Sequence, residues 1–172
     1  MNRTDLIGVS FEEGAETVSP PAPPGAEEIL WKAARAYSDT ETALAHLREA
    51  DRLYGDFLPV VLGCYKFHFY KGRIAEAIPY AWKAARIMGR HLGLPDSFDD
   101  VRPGDAAFSE YESGPRFYLF AMKAVGYLHA RIGEEQRGLD ILEKVRLLDP
   151  LDRLGVSRLI AVVENGGKEE EE

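Results

Sequence analysis

Ala43 and Ala77 lie 34 residues apart, each near the start of a stretch with helical apolar spacing, and each is followed seven residues on by another alanine, Ala50 or Ala84. Gly138 and Val145 repeat the pattern after a step of 61, one 34-residue period lengthened by an insertion of 27. Small residues at such a period mark close crossings of helices in repeated hairpins. Glycines punctuate the same scheme. Gly72 and Gly133 separate the two helices of the second and third pairs, where a left-handed residue ends a helix most easily, and Pro150 follows the third pair.

The apolar spacing between residues 26 and 164 is helical almost throughout. "AEEILWKAARAY" gathers Ile29, Leu30, Ala33 and Ala34 on one side, and the next stretch opens with Ser38, Asp39 or Thr40 as N-cap before Ala43, Leu47, Ala50 and Leu53. "LPVVLGCYKFHFY" and "RIAEAIPYAWKAARIMGRH" form a second pair, "PRFYLFAMKAVGYLHARIG" and "EEQRGLDILEKVRLLDP" a third, and "LDRLGVSRLIAVVE" a last amphipathic helix. That makes about seven helices and no strand. Pro79 removes the bond to the carbonyl of Ala75, which predicts a kink or a helix that starts near Ile78. In the middle helix Tyr65, Phe67, Phe69 and Tyr70 cover all sides, as expected of a helix packed between two neighbours.

A chain of 172 residues is sized for one domain. Residues 1–25, ending in "SPPAPPG", read as a disordered proline-rich lead-in, and residues 165–172 as an acidic disordered tail. No apolar run is long enough for a membrane span, and the first residues lack the order of a signal peptide, so a cytoplasmic protein without membrane contact is expected. Cys64 is the single cysteine and supports neither an internal disulfide nor a cysteine-based zinc site. A net charge of −8 argues against nucleic-acid binding. The net negative charge comes from residues 1–25, 94–113 and 168–172, which leaves the helical body mildly basic.

The 34-residue spacing of Ala43/Ala50 and Ala77/Ala84, with Gly126, Gly133 and Pro150 in the third pair, resembles the tetratricopeptide repeat family over about residues 26–164. Gly138 and Val145 depart from it, standing where the family prefers alanine. The resemblance implies an all-α right-handed superhelix of antiparallel helix pairs, an α-solenoid of three hairpins closed by a capping helix, whose first helices line a concave groove for peptides. In that register the groove carries Lys32 and Arg35, Lys66 and Tyr70, and Lys123, Tyr127 and Arg131. Cations in all three helices and rings in two suit an acidic peptide or protein segment. The bland alternative is a solvated surface whose long cations lay their stems on the rings. The "FHFYKGR" stretch also resembles small repeat proteins that accompany bacterial nitrogen-fixation systems.

No phosphate loop, His-Glu-x-x-His pattern or nucleophile elbow is present in the sequence, and the adjacent carboxylate pairs lie in or near turns. Cys64 and His68 share one helix face at i and i+4, a spacing open to a metal or a thiolate pair, but no third ligand stands at compatible spacing and the pair reads as a buried thiol beside a core imidazole. The expected function is therefore non-enzymatic: an adaptor or chaperone-like module, monomer or weak homodimer, with a protein partner and no cofactor. An accessory or maturation factor for a metalloenzyme system such as nitrogen fixation, and a self-associating structural domain, are the alternatives. The insertion 93–114 mixes acids with Phe98, Phe108 and Tyr111; it is read either as a lid over the basic groove or as a patch on an exposed edge.

Overall fold

A computed structural model of the chain describes residues 21–166. Most of the acidic tail, from residue 167 on, and most of the lead-in therefore lie outside the described residues. Among the described residues the fold consists of seven α-helices and one short 3₁₀ turn at Phe98–Asp100, with no strand. The helices are α1 (Ala26–Arg35), α2 (Thr40–Tyr54), α3 (Leu58–Tyr70), α4 (Ile74–His91), α5 (Ser113–Arg131), α6 (Glu135–Leu148) and α7 (Val156–Glu164). Each packs on the next, with further contacts from α1 to α3 and from α5 to α7.

Local chemistry sets the boundaries. Asp39 caps α2, its carboxylate accepting from the Thr42 amide at 3.2 Å and the Thr42 hydroxyl at 2.6 Å. The α3–α4 and α5–α6 turns are built alike. Gly72 and Gly133 take positive φ, and the next amides, of Arg73 and Glu134, donate back to the carbonyls of His68 and His129. Before α7, Asp152 takes a φ of 48° and accepts from the Val156 amide at 2.7 Å and the Ser157 amide at 3.3 Å.

Pro79 does not delay α4, which runs from Ile74 to His91 with the proline inside it. Pro79 sits in the second turn on the exposed side, and the Ala75 carbonyl it deprives of a partner belongs to an exposed residue. That residue is open to solvent, so the helix tolerates the ring where a buried position would not.

Two apolar clusters form the core. The smaller joins α1, α2 and one side of α3 through Ala33, Ala43, Leu47, Val60 and Cys64; the larger takes the other side of α3 and runs through α7. α3 is apolar all round because it belongs to both. α5 is buried along nearly its whole length, because α4, α6, α7 and the insertion enclose it. α5 and α6 cross so closely that a Cβ on Gly138 would stand 2.6 Å from the Gly126 carbonyl oxygen.

The insertion is a packed part of the edge. Phe98 and Phe108 are buried with ring centres 6.2 and 6.3 Å from that of Tyr118, and Leu94 and Val101 are buried in the same cluster. Lys144 donates to the Asp99 carbonyl at 2.8 Å and Arg153 to that of Ser109 at 2.5 Å. Tyr111 stays outside, 79% exposed, with the Arg153 guanidinium 4.1 Å from its ring centre. Of the two readings of this segment, the edge patch describes these contacts.

Candidate functional site

The first helices of the three pairs end in a rim of rings and cations. Tyr37, just past α1, meets Phe67 of α3 edge-on at 5.9 Å, and the Lys71 ammonium lies 4.2 Å over the Tyr37 ring. Farther along, Tyr65 stacks on Phe69 at 5.8 Å and Phe69 meets Tyr70 edge-on at 5.4 Å. Burial pushes the Tyr65 phenol well above the usual tyrosine range, and the nearby Tyr70 and Tyr127 phenols add to the rise. On α5, Arg131 donates to the Tyr127 hydroxyl at 2.9 Å and lies against its ring. One cation thus sits on Tyr37 and another on Tyr127, and Tyr70 is 47% exposed.

The residues expected to line the groove divide by burial. Lys32, Arg35, Tyr70 and Arg131 are exposed, and Lys66 is half-buried. Lys32 is ion-paired within its own helix to Glu28 at 3.0 Å. Tyr127 is buried and offers the rim its hydroxyl through Arg131. Lys123 is not an open cation: it is buried, and its ammonium donates to the Leu154 carbonyl at 2.6 Å. Burial holds its pKa below the usual lysine range, with the Asp152 carboxylate acting in the opposite direction. Its work is to pin the turn before α7, together with buried Asp149, which accepts from the Leu154 amide at 3.0 Å.

Cys64 and His68 do not converge on one point. The Cys64 thiol is buried and directed at the Leu47 carbonyl, 3.9 Å away. Burial first, then the Asp51 carboxylate, pushes its pKa up to about 12, so it stays a thiol. His68 stacks on Tyr80 at 5.6 Å and lines a cleft of about 480 Å³ between α2, α3 and α4. Arg48, Arg73, Lys83 and Arg86 border that cleft against Asp51 and Glu76. The spacing of Lys83 and Arg86 along α4 is the sequence signal for the α4 side of this basic row, which attention to the first helices passes over.

A second cleft, of about 410 Å³, lies between α4, α5, α6 and the insertion, and its arginines, Arg86, Arg90 and Arg137, face three aspartates, Asp96, Asp99 and Asp140. Beside it the Trp82 indole donates to His129 Nε2 at 3.2 Å. An indole only donates, so Nδ1 carries the His129 proton and gives it to Glu134 at 2.6 Å. This chain ties α4 to the α5–α6 turn. Among the described residues no group of three or more His, Cys, Asp or Glu is placed to hold a metal ion, and no helix is long and apolar enough to cross a membrane.

Among the described residues, three consecutive packed helix pairs and a seventh helix, with a rim of rings and cations at the ends of the first helices, define an all-α protein of helical-hairpin build. The chain is 36% identical over 137 residues, 78% of its own length and 76% of the relative's, to the uncharacterized 19.8 kDa protein in nifW 5'region of Azotobacter chroococcum mcd 1, and it belongs to that protein's family. No protein-family profile matches the chain, and no solved structure does.

Proposed function

We propose that the protein is a non-enzymatic interaction module of tetratricopeptide-like build, accessory to a nitrogen-fixation system, that binds an acidic segment of a protein partner on the rim of α1, α3 and α5. The rim itself carries this reading: the exposed Tyr37 and Tyr70 rings, with Lys71 over Tyr37 and exposed Arg131 held by the buried Tyr127, offer stacking and charge to one extended segment. The nitrogen-fixation setting comes from the relative, whose name places it in a nifW 5' region. In this reading the protein works in the cytoplasm. The three hairpins stack as a short superhelix with α7 as cap, and Lys32, Arg35 and Lys66 extend the rim.

The test is affinity capture of the full-length protein from nitrogen-fixing cells, comparing wild type with Lys71→Glu/Arg131→Glu after confirming equal helicity. The expected result is a stoichiometric partner, bound through an acidic segment, that the double variant loses. Capture of the same partner by both proteins would move the site off the rim. Capture of only further copies of the chain would favour self-association instead.

A further inference from the structure

We propose that the cleft between α2, α3 and α4 is a second, independent site, which binds a small ligand through a phosphate or carboxylate group held by Arg48 and Arg73 over His68. Arg48, Arg73 and His68 all line the cleft, and Leu44 and Leu47 supply apolar wall. The carboxylates there are already engaged. Asp51 accepts from the Tyr80 hydroxyl at 3.1 Å and faces the Lys83 ammonium at 3.9 Å, and Glu76 pairs with Arg73 Nη2 at 3.1 Å. Arg48 makes no ion pair with a described residue.

Two atoms at this centre lack the partners their chemistry demands. Arg73 Nε is buried without a hydrogen bond, so the side-on fork of Nε and Nη2, which fits both oxygens of an oxyanion, is filled on one prong only, by Glu76. His68 Nδ1 is also buried and unpartnered, on a side chain 8% exposed. Buried polar groups are ordinarily satisfied, and two orphans on neighbouring cationic or protonatable side chains are what an absent anion would leave. The positive field at the centre is real enough to act on His68: burial first, and then the Arg73 and Arg48 cations, hold its pKa below the usual range against the pull of Glu76. An incoming oxyanion takes the fork from Glu76, gains Arg48, and receives a hydrogen bond from the imidazole.

Calorimetric titration of the full-length protein with inorganic phosphate, and separately with citrate, at constant ionic strength tests this and tells the two anion types apart. Saturable one-to-one binding of at least one probe is expected, weakened about tenfold in Arg48→Gln and in Arg73→Gln, the worth of one charge-assisted hydrogen bond. Glu76→Gln is expected to tighten it, because a competing carboxylate is gone, and Arg90→Gln to leave it unchanged. All four variants are first matched to wild type in helicity and melting temperature. Failure of both probes to saturate, or equal weakening in Arg90→Gln, would overturn the proposal. So would a glutamate-rich hexapeptide that binds with the Arg48 and Arg73 dependence when neither small anion does, since the cleft would then take protein side chains.

Discussion

Gly138 stands where the resembled repeat prefers alanine, and the α5–α6 crossing explains it. A Cβ there would lie 2.6 Å from the Gly126 carbonyl oxygen and 2.9 Å from the Ala130 amide nitrogen, both backbone atoms that cannot turn aside. Gly138→Ala should cost about 1–3 kcal/mol by overpacking and lower the melting temperature by several degrees, whereas Gly104→Ala, with nothing within 4 Å of its added Cβ, should leave it unchanged. Scanning calorimetry of the two variants checks the contrast. His68 makes a prediction in pH. Its depressed pKa means that the unfolded chain takes up the proton more readily than the folded one, so stability present at neutral pH is lost as the pH falls below the unperturbed 6.5. The groups facing it are Arg48 from α2 and Arg73, Glu76 and Tyr80 from the α4 side. Denaturant midpoints at pH 7.5 and 5.5 should therefore fall less for His68→Phe than for wild type.

At the scale of elements, the helices were legible and their environment was less so. Apolar spacing and the glycines at 72 and 133 place α3 to α6 closely, because a 3.6-residue period and a left-handed stop are local signals. Pro79 misleads about the start of α4, since local sequence does not say which face of the helix meets water. Lys123 misleads for a similar reason: the turn before α7 that buries it is more than twenty residues away, and its partner is a backbone carbonyl. The insertion has no period to read, so its aromatics pointed equally to a lid and to a patch. The packed arrangement makes Phe108 a core residue. Phe108→Ala should destabilise by about 3–5 kcal/mol, while Tyr111→Ala, at an exposed position, should cost far less, and urea unfolding of both variants measures the difference.

For the whole molecule, the all-helical class and the pairing of helices follow from the sequence, and the rings and cations of the rim follow only in part. Tyr70 and Arg131, groove positions in the resembled register, are exposed, but Lys71 over Tyr37 joins a residue after α3 to one after α1, a contact no helical register displays. The α2–α4 cleft lies on second helices, where a search guided by the resemblance does not look. The central claim is that a protein partner docks on the rim. The most direct measurement is a photo-crosslinking amino acid placed at position 70 or 71, and at position 90 as comparison, in the full-length protein within nitrogen-fixing cells. The account predicts adducts to one partner, through an acidic segment, from positions 70 and 71 and none from 90. The same adduct from position 90 alone would contradict it.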